Sequence, residues 1–460
     1  MSELWKALIS HARHCPNRPA LQDPSGNVSY AGLLSEINTR TSILRRHSVR
    51  VLGLALPNGN EWVLWDLAAR RAGVVCVPIP YFFTEQQVAH VFTDAGIDGL
   101  IDQRGFSRIR AEPVKFNPDI CKVTYTSGST AAPKGVCLTA RGLEQVSLSL
   151  LEVLGTTFTN QHLSVLPLSV LLENVAGVYP ALISGCTIHL PDCKTIAMNP
   201  LRLHEAIRVS KASSAIVVPE ILRGQLSLAR STASALPSLQ FLAVGGAKVS
   251  KELVQQSRAA GLPVYEGYGL SECASVVALN TPQQDKPGTV GKILPHLNVS
   301  IEHGEIVIDN PSASGYLGQA GMQQLKTGDC GHFDSDGFLK VTGRKKNVLI
   351  TSWGRNISPE WVESKLLDQE GIRQAIVLGD GEASLDALIV AANDTSTHTV
   401  TETIASINET LPEYARVSRW RRVDPFTLEN GLLTGNGRPV RGQIARNLSI
   451  GDQHEYIRIF

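Results

Sequence analysis

VTYTSGSTAAPKGV, residues 123–136, is the most informative stretch of this sequence. It begins as a short apolar strand and continues as a loop rich in hydroxyl groups, which ends at Lys134. Backbone N–H groups, hydroxyls and a lysine ammonium together spread the charge of a phosphate chain over many donors. A Walker loop has glycine before its lysine and serine or threonine after it, whereas Pro133 and Gly135 flank Lys134. The stretch therefore predicts a phosphate loop of another kind, with donors at Thr126, Ser127, Gly128, Ser129 and Thr130.

Composition and charge limit the classes of function. The chain has 460 residues, of which 43% are hydrophobic and 18% charged, as expected for a globular enzyme of two or more domains. A net charge of +1 offers no basic field, so we expect no nucleic-acid partner. The eight cysteines form no CxxC pair and are typical of a reducing compartment. The N-terminal residues are not of signal-peptide type, and no window approaches the ~20 apolar residues of a membrane span, so we expect a cytoplasmic protein without such a span.

Apolar strand candidates alternate with helical segments over the first two-thirds of the chain. They are rich in Val, Ile and Leu without polar alternation, which is typical of parallel strands buried on both faces. The candidates are 51–56, 74–79, 99–101, 123–126, 163–166, 215–218, 241–244 and 264–265, with helices at 61–72, 140–154 and 251–260. From about Gly288, shorter alternating strands joined by turns indicate a β-rich subdomain.

We therefore predict an α/β protein. A large domain, 1–343, has mainly parallel sheets flanked by helices and includes the β-rich subdomain, and a small, mobile α+β domain follows at 344–460. In the small domain, Ser358 is predicted to cap a helix that starts at Pro359 and runs to Leu367. Strands are predicted at 375–378 and 387–391, and a helix near 401–410.

Five further segments follow the phosphate loop. They are FLAVGGAKV (241–249), YEGYGLSEC (265–273), TGD (327–329), GRKK (343–346) and SWGRNISPEWVE (352–363). Together with the loop they resemble the motifs of the AMP-forming adenylating enzymes: acyl-CoA synthetases, peptide-synthetase adenylation domains and luciferases. The resemblance covers nearly the whole chain and is closest in style to long-chain acyl-CoA synthetases. A Gly-Gly pair alone is a weak signal and most often a turn, whereas YEGYGLSEC is much more specific.

The resemblance implies a set of residues for ATP and magnesium. Lys134 would hold the outer phosphates and Tyr268 would stack on adenine, with Gly269 beside it. Ser271 would touch the α-phosphate. Glu272 would be the magnesium ligand, since a hard cation takes oxygen ligands and shares them with phosphates.

Other ATP-binding residues are implied in the later motifs. Asp329 would accept both ribose hydroxyls, which suits an acceptor-only carboxylate. Arg344 would reach the ribose, and Gly246 and Ala247 would lie beneath the nucleotide. Lys346 would be the hinge about which the small domain swings between two catalytic poses.

The acyl pocket and the thiol tunnel follow from the same resemblance. The pocket would be lined by Val170, Val217, Val218, Gly245, Gly246 and Gly267. It has no evident aspartate of the amino-acid-recognising kind, so we expect a fatty or otherwise hydrophobic acid first and an aromatic acid second. Trp353 and Gly354 fall in the loop that lines a pantetheine tunnel. Trp353 either narrows the tunnel or packs structurally, and both readings stay open.

The main departure from the family is in the tail LLTGNGRPVR, residues 432–441. Arg438 occupies the place of a lysine that acts in adenylation, so charge is retained but a planar fork replaces a compact ammonium. Three interpretations follow: Arg438 does the lysine's work, the alignment is slightly shifted, or the chain adenylates weakly. We favour the first because the other motifs are intact, which makes the predicted catalytic set Lys134, Ser271, Glu272, Lys346 and Arg438.

The predicted function is an AMP-forming acid–thiol ligase. It would use ATP and Mg²⁺ to convert a small carboxylic acid to acyl-AMP and pyrophosphate, and then transfer the acyl group to coenzyme A or to a phosphopantetheine carrier. One alternative is a ligase dedicated to loading an acyl carrier protein. Another, of a different class, is a non-catalytic relative that only binds nucleotide or acyl groups.

Overall fold

Two compact units make up the chain in the computed structural model. The residues described are 2–126, 133–155, 160–197, 199–232, 235–319, 321–352, 354–433, 438–449 (without the side chains of 448 and 449) and 456–459. Unit 1 comprises Met1–Gly246, Val254–Val299 and Ile308–Leu325, and unit 2 comprises Ala247–Leu253, Ser300–Val307 and Lys326–Phe460.

Helices and strands alternate through unit 1, and strands dominate the first part of unit 2. The described helices are α1 (Glu3–His14), α2 (Tyr30–Arg46), α3 (Asn60–Ala72), α4 (Glu85–Ala95), α5 (Ala140–Leu154), α6 (Leu171–Glu173), α7 (Tyr179–Ile183), α8 (Cys193–Ala197), α9 (Pro200–Ser210), α10 (Pro219–Ser231), α11 (Lys251–Ala259), α12 (Pro359–Leu367), α13 (Thr397–Glu409) and α14 (Arg441–Ser449). The described strands are β1 (Pro19–Asp23), β2 (Gly26–Ser29), β3 (Val51–Leu54), β4 (Val75–Pro78), β5 (Gly99–Asp102), β6 (Gly105–Arg108), β7 (Ile120–Thr126), β8 (Lys134–Thr139), β9 (Gln161–Leu163), β10 (Thr187–His189), β11 (Ser214–Val217), β12 (Phe241–Val244), β13 (Val264–Leu270), β14 (Ser275–Leu279), β15 (Lys292–Ile293), β16 (Asn298–Glu302), β17 (Glu305–Asp309), β18 (Ala313–Tyr316), β19 (Gln324–Phe333), β20 (Leu339–Arg344), β21 (Leu349–Ile350), β22 (Asn356–Ile357), β23 (Ile372–Leu378), β24 (Leu385–Ala391), β25 (Val417–Arg422) and β26 (Ile457–Arg458).

Two large sheets form unit 1. One has the order β15-β14-β13-β12-β11-β9-β10-β1-β2 and the other the order β18-β8-β7-β4-β3-β5-β6 among the described strands. The six strands from β13 to β1 are parallel, as are β7, β4, β3 and β5, while antiparallel strands lie at the edges. Strands β3, β4 and β11 are buried along their whole length, as expected when both faces are covered. The predicted α/β architecture with mainly parallel sheets is confirmed.

Two strands differ from the sequence prediction for identifiable reasons. β13 continues past residue 265 to Leu270 because it pairs with the antiparallel strand β14 after leaving its parallel partner β12. β9 ends at Leu163 rather than 166, because the N–H groups of Val165 and Leu166 donate to the buried Glu173 carboxylate at 3.2 and 3.0 Å.

A fully buried ion pair joins β7 to α3, and a hydrogen bond ties it to the segment after α6. The Lys122 ammonium lies 2.9 Å from Asp66 Oδ1 and donates to Asn174 Oδ1, and the Tyr179 hydroxyl donates to Asp66 Oδ2 at 2.8 Å. Burial opposes the charge of Lys122, but the Asp66 carboxylate together with Tyr179 and Cys76 more than offsets it, so the pKa of Lys122 is raised. Asn174 begins a short π-helix, Asn174–Val178, of a kind often found near functional sites.

Unit 2 holds most of a sheet with the described order β16-β17-β19-β20 and an α+β region around β23-β24-β25-β26. Helix α12 runs from Pro359 to Leu367 with Ser358 at its N-cap position, both as predicted, but the Ser358 side chain makes no capping bond: its Oγ donates to Glu360 Oε2 at 3.0 Å instead. α13 starts at Thr397, ahead of the predicted 401, because the Ser396 side chain accepts the N–H of Thr399.

Contacts group Lys326–Phe460 into one unit, so the domain boundary at 343/344 and the hinge at Lys346 stay predictions. In the described part of the chain, we find no helix with the length and apolar character needed to cross a bilayer.

Candidate active site

The two ends of the predicted phosphate loop are fixed by a hairpin. β7 and β8 are antiparallel, and Thr126 and Lys134 are its last directly opposed pair. The carbonyl of Pro133 accepts a hydrogen bond from His90 Nε2 at 3.0 Å, which ties this end of the loop to α4. Ser127, Gly128, Ser129 and Thr130 lie outside the described residues. The strand pairing therefore fixes the position of Lys134 at the C-terminal end of the loop, where β8 begins.

The YEGYGLSEC motif covers most of β13 and the tight turn that leads from it into β14. A short 3₁₀ turn, Ser271–Cys273, carries Ser271 and Glu272. Gly269 is required here, because a Cβ atom at this position would lie 1.6 Å from the carbonyl oxygen of Ser275. Ala274 and Ser275 follow with φ of 55° and 136°, values that side-chain-bearing residues rarely adopt. Such strain is typical of functional turns and costs of order 1–3 kcal/mol per residue.

Tyr316 lies between Lys134 and Glu272. Its hydroxyl donates to Glu272 Oε1 at 2.6 Å, and Lys134 Nζ lies 5.9 Å from the centroid of its ring. Burial and the bond to Glu272 raise the pKa of the Tyr316 hydroxyl, which keeps it protonated. The sequence analysis missed this residue, because a single tyrosine in a short strand carries no signal beyond ordinary packing.

Part of the predicted acyl pocket comes together around the Gly-Gly turn after β12. Gly246 has φ of +85°, and a Cβ atom there would lie 3.6 Å from Val218 Cγ1 and 3.9 Å from Leu172 Cδ2. A Cβ atom at Gly245 would lie 3.1 Å from the carbonyl oxygen of Gly267. The glycines thus keep an open floor beside two aliphatic side chains.

The described contacts around Gly246 do not include Val217 or Val170, the other two valines of the predicted acyl pocket. Val217 is buried within β11, and since successive strand residues point to opposite faces, it faces away from Val218. Val170 precedes α6 and its N–H donates to Pro167 O at 3.0 Å. The described contacts place Leu172, two residues further on, beside Gly246. Leu172 is therefore a candidate lining residue of the predicted acyl pocket.

In unit 2, the predicted ribose-binding pair is in direct contact. Asp329 and Arg344 are opposed on β19 and β20, and Arg344 Nε lies 2.8 Å from Asp329 Oδ1. Asp329 is 3% exposed, and its N–H donates to Thr327 Oγ1 at 3.1 Å. The preceding Gly328 has φ of +71° and donates to Glu305 Oε1 at 2.9 Å. These bonds fix the backbone that presents the carboxylate.

The predicted hinge residue, Lys346, and the tail residue Arg438 belong to the same electrostatic cluster. Partial burial, the charge of Arg344 and the charge of Arg438 lower the pKa of the Lys346 ammonium, while Asp329 acts in the opposite direction. Arg438 therefore lies near the predicted ribose and hinge residues of this unit. Three residues after it, Arg441 donates to both carboxylate oxygens of Glu363, which anchors the tail.

For two other predicted residues, the described part of the chain shows no contact with the residues named above. Gly354 is exposed with φ of +70°, and its N–H donates to Thr351 O at 2.8 Å. Ala247 is exposed and is the first residue of unit 2 in its segment. Trp353 lies outside the described residues, so both readings of its role stay open.

Metal binding by protein ligands alone has no support in the described residues, where no group of three or more His, Cys, Asp or Glu side chains could hold an ion. Glu272 offers a carboxylate in contact with the Tyr316 hydroxyl, and Lys134 lies over the ring of the same tyrosine. One carboxylate completed by substrate phosphates and water is a donor set that Mg²⁺ uses. The residues present therefore fit a magnesium ion that arrives with a nucleotide.

Two family models match the chain. One, described as AMP-binding enzyme, matches residues 8–113 and 103–323, and one described as AMP-binding enzyme C-terminal domain matches 346–447. A curated relative, the 2-succinylbenzoate–CoA ligase of Bacillus subtilis, is 26% identical over 419 residues, which cover 81% of this chain and 84% of that protein. A long-chain-fatty-acid–CoA ligase of Mycobacterium bovis is 41% identical over 154 residues, 32% of this chain and 26% of that protein. The O-succinylbenzoate CoA synthetase of Bacillus subtilis, solved with ATP and magnesium, has a TM-score of 0.79 at 24% identity, and the match covers 95% of this chain and 98% of that one.

Proposed function

Because this chain belongs to the family of AMP-binding enzymes, we propose that it activates a hydrophobic carboxylic acid with ATP and passes the acyl group to coenzyme A. Membership of the family confirms the predicted resemblance and the predicted enzyme class, an AMP-forming acid–thiol ligase. The acid, the thiol and the roles of individual residues are proposals.

The reaction has two steps. A carboxylate oxygen of the acid attacks the α-phosphorus of ATP, and the bond from that phosphorus to the bridging oxygen of pyrophosphate breaks. The thiol of coenzyme A then attacks the acyl carbon, loses its proton and releases AMP. Since the reacting groups belong to the substrates, the protein contributes mainly positioning and charge neutralisation.

Five of the predicted site residues would act in the first step. Lys134 would neutralise the outer phosphates from the end of the β7–β8 hairpin, and Ser271 would donate to the α-phosphate. Arg438 would stabilise charge that develops on the α-phosphate, and Asp329 would orient the ribose. Glu272 would hold magnesium, which withdraws charge from the phosphates when bound.

An aromatic acid is our first choice of substrate, which reverses the order expected from sequence alone. It is supported by the relative that aligns over most of the chain and is named for 2-succinylbenzoate. A fatty acid is second, supported by the shorter match to the fatty-acid ligase and by the aliphatic side chains of Leu172 and Val218 beside Gly246. Coenzyme A is preferred over a carrier protein because both relatives are named as CoA ligases.

One observation carries the proposal: the Lys134 ammonium and the Glu272 carboxylate, to which we assign the outer phosphates and magnesium, both contact Tyr316. The test is acid-dependent ATP–pyrophosphate exchange over a panel of aryl, fatty and amino acids, followed by product masses with coenzyme A and with carrier protein. Glu272→Gln should abolish exchange, whereas Glu205→Gln, an exposed carboxylate on α9, should not change it. A wild-type protein that binds ATP but exchanges with no acid would refute the proposal in favour of a non-catalytic relative.

A further inference from the structure

Tyr316 contacts two of the residues to which we assign metal-bound ATP. We propose that Tyr316 is a positioning residue: its hydroxyl fixes the Glu272 carboxylate for magnesium, and its ring face holds Lys134 beside that carboxylate. This inference rests on the proposed function, because it takes Glu272 and Lys134 as ligands of magnesium and phosphate.

The backbone gives Tyr316 a fixed position relative to the phosphate loop. β18 pairs with β8 so that Tyr316 is opposed to Val136, and the N–H of Leu317 donates to Gly135 O at 2.8 Å. β8 begins at Lys134, so the ladder that carries Tyr316 is the same one that carries the lysine. The tyrosine therefore relates the 3₁₀ turn of Glu272 to the end of the phosphate loop.

The hydroxyl matters more than the ring for this role. A carboxylate that binds a metal is usually oriented by a hydrogen bond to one of its oxygens, and loss of such a partner typically costs about 10–100-fold in metal affinity or activity. The bond from Tyr316 to Glu272 Oε1 is short, at 2.6 Å. In contrast, Lys134 lies 5.9 Å from the ring centroid, near the outer limit of about 6 Å for a cation–π contact.

The test compares Tyr316→Phe with wild type by direct binding. Mn²⁺ is titrated into the enzyme with ATP present, and free ion is followed by electron paramagnetic resonance. We expect the dissociation constant for Mn²⁺ to rise by about 10–100-fold. ATP binding in excess chelator should not change, because the ring under Lys134 is retained. Tyr316→Leu, which also removes the ring, should weaken ATP binding in chelator as well.

Tyr125→Phe is the matched control. The Tyr125 hydroxyl donates to the Asp94 carboxylate at 2.6 Å, so this variant loses a bond of the same kind and length in the same sheet. Its Mn²⁺ affinity should equal that of wild type, and melting temperatures of all variants show whether the fold is intact.

Equal Mn²⁺ affinity in Tyr316→Phe and wild type would overturn the inference, as would wild-type ATP binding that is insensitive to metal. Because the readout is binding, it needs neither the acid nor turnover. A wild type that binds Mn²⁺ and ATP but shows no acid-dependent exchange would refute the proposed function and leave the effect of Tyr316→Phe on metal affinity measurable.

Discussion

Replacing Arg441 by methionine should destabilise unit 2 by about 3–5 kcal/mol, because removal of one partner strands a buried charge. The guanidinium donates to Glu363 Oε1 at 2.6 Å and Oε2 at 2.7 Å, and also to Val377 O at 3.0 Å. The two side chains are only 18% and 8% exposed. Two hydrogen bonds to a charged group, at roughly 1.5–3 kcal/mol each, give about 3–6 kcal/mol, which overlaps that range.

Hydrogen exchange on β23 measures this loss locally. The N–H of Val377 donates to Glu363 Oε1 at 2.7 Å, so the strand is tied to the ion pair directly. At 1.4 kcal/mol per tenfold, protection of the peptide that contains Val377 should fall by roughly two to three and a half orders of magnitude. The double variant Arg441→Met with Glu363→Leu should recover most of the loss, since apolar replacement of a buried pair is often neutral. A cost below about 1 kcal/mol for the single variant, or no recovery in the double variant, would refute this reasoning.

Three further predictions concern the site and the pH response. Glu173→Gln should lower the free energy of unfolding by about 1–3 kcal/mol, because Glu173 accepts the backbone N–H groups of residues 165 and 166. Since these bonds shape the segment before Leu172, the variant should also raise KM for the acid more than KM for ATP. Thermal melting and the kinetics of ATP–pyrophosphate exchange measure the two effects. Arg438→Ala should slow exchange by about 10²–10³-fold, with partial activity in Arg438→Lys, and an unchanged rate in the alanine variant would exclude Arg438 from catalysis. Burial lowers the pKa of His296 to about 4, so the unfolded chain takes up its proton first and stability falls as pH drops from about 6.5 to 4. Urea midpoints across this window should fall less steeply in His296→Gln than in wild type.

The parallel sheets could be predicted because each buried strand is recognisable from its own run of apolar residues. Phe241–Val244 and the helix Ala140–Leu154 are found at their predicted bounds, since an apolar run and a 3.6-residue period are both local patterns. Strand ends were less predictable. β9 ends early because Glu173, ten residues further on, takes the backbone N–H groups that would have extended it.

Site residues could be predicted only where a motif carries them. Lys134 and Glu272 lie in distinctive loops, whereas Tyr316 reaches them through the pairing of β18 with β8, which no local pattern encodes. Within the apolar run 170–172, sequence cannot tell which side chain faces the Gly-Gly turn. The conformation of α6 decides this, and it places Leu172 beside Gly246.

The interior charge of Lys122 constrains how this protein can evolve. Loss of Asp66 alone would leave an ammonium without its counter-ion in the core, at about 3–5 kcal/mol, a large share of the 5–15 kcal/mol by which a typical domain is stable. Replacing both residues by apolar ones of similar volume can leave stability unchanged, yet either single replacement on the way is strongly destabilising. Lineages of this protein should therefore keep Asp66 and Lys122 together or lose them together, and homologous sequences that carry one without the other should be rare.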